Sequence, residues 1–181
     1  MKAHYEELSI EAHALSLDAE FMALVKTFYV AEDSPVITAL QQDGATAVID
    51  LSAEFEKFAS DSQPEHIAHV IGRLSDIQVR DFALGSHNRD SFETYWGMWL
   101  YLLQNAPVGF VAPVACLFAT LAYERGDTAL AYRALDRATV DQPAYSLTIL
   151  LRRVFGSGWP AGAFAAMRVE LHPKVTAGIF G

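Results

Sequence analysis

From Thr94 to Tyr123 the sequence carries no charged residue. A membrane-spanning helix needs about 20 consecutive, predominantly apolar residues. This stretch is interrupted at residues 104–109, QNAPVG, by a turn signal that leaves two arms too short to span a bilayer. A helix with no charged side chain on any face needs protein around it on all sides. The stretch therefore predicts two helices joined by a turn at the centre of a helical domain, with no membrane association.

Apolar residues recur at helical spacing through most of the remaining chain. We predict a mainly all-α fold, a helical array or bundle, in three segments. Residues 1–60 form a helical segment packed on the main domain, residues 61–168 form that domain, and residues 169–181 form a tail. The main domain begins at a helix-start signal in residues 61–65, DSQPE.

Two places in the chain leave the secondary structure open. Asp43-Gly44 is expected to end a helix, and residues 47–51, AVIDL, then fit either a short strand or the start of another helix. The last helix is expected to end near Met167. The tail contains Pro173 and Gly178, which favour an extended segment packed on the domain or on a neighbouring molecule.

The composition indicates a surface that a partner covers. Hydrophobic residues make up 52% of the chain and charged residues 19%, whereas an average globular domain has about 25% charged residues. A domain of 181 residues has a high ratio of surface to volume, so part of this apolar content is expected to remain exposed on one chain. We predict that the protein forms a homo-oligomer or binds another protein.

The charge argues against a nucleic-acid partner. The chain has 13 Lys and Arg against 22 Asp and Glu, a formal net charge of −9. Binding DNA or RNA requires clustered cations that displace counterions from phosphates, and the densest basic group is only Arg152-Arg153. We expect no nucleic-acid binding.

The single cysteine and the first residues predict the compartment. Cys116 lies in an apolar stretch and has no partner for a disulfide within the chain, so we expect a small buried side chain. The first residues, MKAHYEELSIEAH, lack an apolar core of signal-peptide length. Together they predict a cytoplasmic protein.

The stretch from Leu121 to Pro143 is similar to a tetratricopeptide repeat. Such repeats place a turn between two antiparallel helices and small residues where the helices touch. Here Gly126-Asp127 is at the turn, Ala131 and Ala138 are at the close-approach positions, and Leu135 lies between them. No second copy follows at the expected period of about 34 residues, and a solenoid needs about three copies. The resemblance therefore implies one helical hairpin rather than a superhelical array.

A wider set of motifs extends over about residues 64–164. These motifs are Val79-Arg80-Asp81, Pro113, the hairpin with its Gly126-Asp127 turn and Leu135-Asp136-Arg137-Ala138, residues 143–147 (PAYSL), Leu150-Leu151 and Gly158-Trp159-Pro160. Their spacing resembles the C-terminal helical half of the uncharacterised actinobacterial family called domain of unknown function 4192. The resemblance implies a helical fold and no particular activity. Members of that family usually carry an α/β part ahead of this region, for which residues 1–60 are short.

One group of polar residues is a candidate binding or catalytic site. Arg80, Asp81, His87, Arg89 and Asp90 fall within eleven residues. If they converge in a cleft, they could bind a small anion or exchange protons with a substrate. If they do not, loop capping and surface ion pairing account for them.

A pair of histidines is a weaker candidate, for a metal site. His66 and His69 lie three residues apart on a predicted helix and could share one face. Two ligands do not complete a metal site, and the chain has no HExxH motif. We therefore predict no metal and no cofactor.

Aromatic and C-terminal apolar residues supply candidate interface positions. Tyr95, Trp96, Trp99 and Tyr101 cover more than one face of a helix, which fits either core packing or a protein interface. Ile179 and Phe180 end the chain in an apolar pair. The interface prediction comprises Tyr95, Trp99, Tyr101, Ile179 and Phe180.

These observations favour a non-enzymatic helical module for protein–protein interaction or scaffolding. The reasons are the repeat-like hairpin, the surplus of apolar residues and the lack of a convergent catalytic motif. The alternative is a small-ligand-binding protein or an enzyme that uses the cluster between Arg80 and Asp90.

Overall fold

Helices account for nearly all of the regular structure in the computed structural model, which describes residues 8–58 and 63–181. A short 3-10 turn at Ala14–Leu17 precedes the α-helices, which are α1 (Ala19–Thr27), α2 (Ile37–Phe58), α3 (Pro64–Arg73), α4 (Ile77–Ser86), α5 (Phe92–Asn105), α6 (Val111–Glu124), α7 (Thr128–Asp141), α8 (Ser146–Gly156) and α9 (Ala161–Phe180). The described ranges contain no strand. The predicted all-α fold is confirmed.

Helix α6 lies at the centre of the molecule. All its residues from Val111 to Tyr123 are buried, and it contacts α4, α5, α7, α8 and α9. The uncharged stretch thus forms two core helices, α5 and α6, as predicted. No helix in the described ranges combines the length and apolar content needed to cross a membrane.

The turn between α5 and α6 is held by a carboxylate from another helix. Asp141 accepts hydrogen bonds from the backbone N–H groups of Gly109 at 2.7 Å, Val111 at 3.0 Å and Ala112 at 3.1 Å. The first N–H groups of a helix have no partner within it, and a carboxylate also complements the positive end of the helix dipole. Asp141, at the end of α7, therefore caps α6.

Helices α6 and α7 form the predicted antiparallel hairpin. Gly126 occupies the turn with φ +89°, a conformation that favours glycine, and Asp127 caps α7 by accepting from the N–H of Leu130 at 2.9 Å. Ala131 and Ala138 are fully buried, and they allow α7 to pack closely on α6. The kinship of this hairpin with tetratricopeptide repeats stays a prediction.

The predicted break at Asp43-Gly44 is wrong. Helix α2 runs without interruption through Gly44 and through residues 47–51, which form neither a strand nor the start of a separate helix. A Cβ at Gly44 would lie 2.8 Å from Cγ2 of Val79 in α4 and 3.0 Å from Cβ of Arg73. The glycine is thus a point of close helix contact, and packing along the rest of α2 outweighs its local cost of about 1 kcal/mol.

The predicted helix end near Met167 and the extended tail are also wrong. Helix α9 continues through Pro173 to Phe180. Its last turn is anchored because Ile179 packs against Ala45 and Phe82, and the Ile179 carbonyl accepts a hydrogen bond from Gln42 Nε2 at 3.0 Å.

The division into segments 1–60, 61–168 and 169–181 stays a prediction. Helix α9 crosses residue 168 as one continuous element. The start signal at Asp61-Ser62 lies outside the described residues, and α3 begins at Pro64.

Candidate functional site

An apolar cleft opens between α4, α8 and α9, and we call it the α8–α9 cleft. Its volume is about 420 Å³. The polar lining residues are Arg80, Asp81, Arg168 and His172; the others are Leu84, Gly85, Leu147, Leu150, Leu151, Val154, Trp159, Phe164, Met167, Leu171 and Val175. A pocket of this size, mostly apolar with a few polar groups, has the usual character of a binding site.

The spacing of leucines on α8 builds one wall of the cleft. Leu147 and Leu151 lie one helical turn apart and are buried, so they join α8 to the core. Leu150 is on the outer edge of the same wall and is 54% exposed. On the other side of the opening, Leu171 is 45% exposed and Trp159 is 37% exposed. The rim is therefore made of large apolar side chains that contact water in the single chain.

A buried ion-pair network lies behind the cleft. Arg168 Nε donates to Glu124 Oε1 at 2.6 Å, and His87 Nε2 is 2.6 Å from Glu124 Oε2. Arg168 Nη1 also donates to the backbone carbonyl of His87 at 2.7 Å. The side chains of His87, Glu124 and Arg168 are all at most 6% exposed. The network joins α6, the end of α4 and the middle of α9.

The protonation states of this network follow from burial and charge. Burial is the main cause of a lowered pKa for His87, and the cation of Arg168 lowers it further against the opposing effect of Glu124. Burial alone would raise the pKa of Glu124, but hydrogen bonds and charges from His87 and Arg168 outweigh it and lower that pKa. At neutral pH the network therefore holds a carboxylate, a guanidinium and a neutral imidazole that donates to the carboxylate.

The lowered pKa of His87 predicts loss of stability in mild acid. Below the ordinary histidine pKa of about 6.5 the unfolded chain binds a proton that the folded chain does not, so acid favours unfolding. The lowered pKa of Glu124 adds a second loss as the pH falls below about 4.5, where the unfolded carboxylate becomes protonated. Melting temperatures measured from pH 7.5 to pH 3 should fall in both ranges.

The His87→Gln variant is the matched control for the loss of stability in mild acid. His87→Gln keeps an N–H that can donate to Glu124 but does not titrate. Its melting temperature should fall less between pH 7.5 and pH 5.5 than that of the parent. His172, whose pKa is lowered by burial and by Arg168, keeps its own contribution in both proteins. Equal losses in the two proteins would contradict the role given to His87.

Close packing of α4 on α9 places His172 at the cleft. A Cβ at Gly85 would lie 2.5 Å from His172 Nδ1, so the glycine is needed for this approach. The His172 ring packs against Phe82 at a centroid distance of 5.0 Å. Its Nδ1 is buried and has no hydrogen-bond partner among the described residues.

The structure does not bring the predicted polar cluster together. Arg80 donates to Asp81 Oδ1 at 2.7 Å and lies beside Tyr145, and this pair lines one end of the cleft. His87 is buried in the network with Glu124. Arg89 and Asp90 are exposed in the loop before α5. The residues are adjacent in sequence, but the end of α4 separates them into a pair, a buried group and a solvated turn.

The predicted interface residues also do not form one surface, because some are buried in the core and others are exposed. Tyr95 and Trp99 are 4% and 0% exposed in the single chain, because they face the core from α5. Tyr101 is half-buried and packs near Phe55 at a centroid distance of 5.8 Å. Ile179 is buried against Phe82, whereas Phe180 is 48% exposed. Tyr95, Trp99 and Ile179 therefore cannot present a surface to a partner without leaving the core.

The sequence did not predict the residues Glu124 and Arg168 of the buried network, or those of the cleft rim. Glu124 is the first charge after the uncharged stretch, and Arg168 follows a run of small and apolar residues, AGAFAAM, at 161–167. Neither charge is isolated in the sequence, because Arg125 and Asp127 follow Glu124 and Glu170 follows Arg168. The separation of 44 positions hides the pairing of these two residues.

His66 and His69 each contact a different carboxylate. His66 Nδ1 is 2.6 Å from Glu54, and His69 Nε2 is 2.6 Å from Asp43. Within residues 8–58 and 63–181, no group of three or more His, Cys, Asp or Glu side chains is placed to hold a metal ion.

The fold and the cleft define a helical domain with one buried centre and an apolar cleft at its surface. Residues 9–161 match the family described as Domain of unknown function (DUF4192). The chain belongs to this family. The match covers α1 to α8 and the first residue of α9. No curated protein and no solved structure matches the chain.

Proposed function

We propose that the protein is a helical protein–protein interaction module that self-associates through the face formed by α8 and α9. The observation that carries the proposal is the apolar cleft whose rim, Leu150, Trp159 and Leu171, is exposed in the single chain. Exposed large apolar side chains grouped at one place on a surface are typical of interaction sites.

Apolar burial supplies the driving force for the proposed contact. Complete burial of a leucine side chain is worth roughly 1.5–3 kcal/mol relative to exposure. Leu150 and Leu171 are each about half exposed, so a second copy that covers both, together with Trp159, removes apolar surface from water on both chains. A symmetric contact doubles each contribution, because the same patch meets its own copy.

The distribution of charge favours this face over the rest of the surface. The chain has a net charge of −9, so two copies repel each other through most orientations. From residue 142 to the end the only acidic residue is Glu170. The basic side chains of Arg152 and Arg168 are already paired with Asp136 and Glu124. Of the other charged side chains on α8 and α9, Arg153 and Lys174 are basic and Glu170 is acidic, so this face carries little net charge on an acidic protein.

A cysteine at the cleft rim tests the position of the contact. Leu171→Cys should be cross-linked between chains by a short bis-maleimide at low micromolar concentration. The native Cys116 is fully buried, and burial raises the pKa of its thiol to about 11, so it does not compete for the reagent. Denaturing electrophoresis measures the cross-linked fraction.

Val140→Cys is the matched control for random collision. Val140 is 86% exposed on α7 and does not line the α8–α9 cleft. The proposal predicts that the cysteine at 171 gives mostly cross-linked dimer and the cysteine at 140 gives only background. Equal cross-linking at the two positions would contradict it.

A second candidate function is the binding of a small apolar ligand in the same cleft. Its volume lies within the usual range for ligand pockets, about 300–1,000 Å³. The Arg80–Asp81 pair, which lines one end of the cleft, could orient one polar group of such a ligand. A fluorescent apolar probe such as anilinonaphthalene sulfonate distinguishes the two: saturable binding to a monomer favours the ligand, whereas exclusion of the probe on dimerisation favours self-association.

A further inference from the structure

Residues 8–13 lie as an extended segment across α5 and α7, and we call them the N-terminal segment. Ile10 is 1% exposed and belongs to the main core. The flanking residues Leu8, Ser9, Glu11 and Ala12 are all exposed. The segment is therefore attached to the helices through one side chain and through its backbone.

The helices hold the backbone of this segment through its carbonyl groups. Gln104 Nε2 donates to the carbonyl of Ser9 at 2.9 Å, and Arg133 Nη1 donates to that of Leu8 at 3.4 Å. Arg137 Nη1 donates to the carbonyl of Ile10. In return, the N–H of His13 donates to the carbonyl of Gln104 at 2.7 Å.

This set of contacts recognises a peptide chain rather than a particular sequence. The long side chains of Gln104, Arg133 and Arg137 reach carbonyl oxygens that every residue has. The same Arg137 Nη1 also donates to the Leu103 carbonyl at 2.9 Å, which fixes its guanidinium in the groove. Side-chain preference comes from the pocket that receives Ile10 and from the charge of Glu11, which acts on the Arg137 guanidinium. Bonds to the main chain combined with a side-chain pocket are a common mode of peptide recognition.

The groove continues past the N-terminal segment. An open cleft of about 520 Å³ lies beside Ile10 and Glu11, between the start of α6 and α7. Val108 and Val140 line it and are 74% and 86% exposed. The N-terminal segment thus fills one part of a longer groove and leaves an apolar part uncovered.

We infer that the α5–α7 groove is a peptide-binding site for an extended segment of a partner with a branched aliphatic anchor, and that the N-terminal segment occupies it in cis. The chain's own segment points to this occupant, because its carbonyl contacts and its Ile10 anchor are those that the groove accepts. The site goes beyond the proposed self-association and uses a different set of helices.

A substitution that weakens the binding of the N-terminal segment to the groove tests the inference on the full-length chain. Ile10→Ala removes most of the anchor and leaves every groove residue unchanged. The probe is a fluorescein-labelled peptide of residues 8–13, LSIEAH, acetylated and amidated at its ends, with binding measured by fluorescence anisotropy. It should bind the variant at least about tenfold more tightly than the parent, because loss of a buried aliphatic side chain weakens the competing segment by that factor or more.

Two matched controls locate the binding. Gln104→Ala, added to the Ile10→Ala chain, removes the donor to the Ser9 carbonyl and should weaken peptide binding by about three- to tenfold, the effect of one hydrogen bond. A peptide with aspartate in place of the isoleucine should not bind. Binding that is unaffected by Gln104→Ala would place the peptide elsewhere and overturn the inference.

The remaining outcomes also decide the question. A folded Ile10→Ala chain, as judged by circular dichroism, that does not bind the peptide contradicts the inference. An Ile10→Ala chain that fails to fold also contradicts it, because the segment is then an indispensable part of the core. On the unmodified chain, hydrogen exchange gives an independent reading: the amide of His13 should exchange faster than the amides of α7, and equal protection would show that the segment does not leave the groove.

Discussion

Arg168→Met lowers the free energy of unfolding by about 3–5 kcal/mol, the effect expected when one partner of a buried ion pair is removed. Arg168 is the cation that faces Glu124 in the buried network. Methionine occupies a similar volume but leaves the carboxylate of Glu124 in the core without a cation. His87 then provides the remaining hydrogen bond and must take up a proton in a buried position to provide a charge. Urea unfolding followed by circular dichroism measures the loss.

Two variants separate charge burial from other effects of this substitution. Glu124→Gln combined with Arg168→Met removes the uncompensated charge and should recover a substantial part of the stability. Arg152→Met breaks an ion pair with Asp136 that is 36% and 68% exposed, and should change stability by less than about 1 kcal/mol. If Arg168→Met costs no more than Arg152→Met, the buried network does not stabilise the fold as described.

Phe118→Ala destabilises the domain by about 3–5 kcal/mol, the usual cost of removing a fully buried phenylalanine. Phe118 is 0% exposed in the middle of α6, and its ring lies 4.9 Å from that of Trp96 in α5. The cavity left by the ring is surrounded by helices on all sides of α6, so the surroundings cannot collapse into it without moving α5 or α7.

The matched control is an apolar side chain of α7 that faces water. Val140→Ala removes methyl groups at a position that is 86% exposed and should leave the midpoint of urea unfolding almost unchanged. Similar losses for Phe118→Ala and Val140→Ala would show that α6 is not the buried centre of the molecule.

The central helices could be predicted from sequence because their signals do not depend on distant contacts. The absence of charge from Thr94 to Tyr123 requires burial of α5 and α6 whatever surrounds them. Gly126-Asp127 supplies both the turn and the cap of α7. These are local effects of conformation and hydrogen bonding, and one sequence contains all the information they need.

The helix ends were predicted wrongly where tertiary packing outweighs a local sequence signal. Gly44 has the sequence context of a helix end, yet α2 passes through it because the glycine makes room for Val79 of α4. Pro173 has the context of a tail, yet α9 continues because Ile179 finds a buried place beside Phe82. Neither contact can be inferred before the helices are placed.

The candidate site could not be predicted from the sequence, because residues that are close in the chain lie in different parts of the fold. Arg80 and His87 are seven positions apart, but the first lines the cleft and the second is buried behind it with Glu124. The aromatic residues Tyr95 and Trp99 have the composition of an interface, yet the inward face of α5 uses them for the core. The rim residues Leu150 and Leu171 were distinguished only once their exposure was known.

Sedimentation equilibrium of the unmodified chain tests self-association most directly, because it measures the molecular mass in solution without a probe or a substitution. The chain has a mass of 19.9 kDa. We expect twice that mass at micromolar concentrations, with reversible dissociation on dilution and no larger species, since a symmetric contact closes with two copies. A mass of 19.9 kDa at every concentration up to the high micromolar range would contradict the proposal that the α8–α9 face is covered by a second copy.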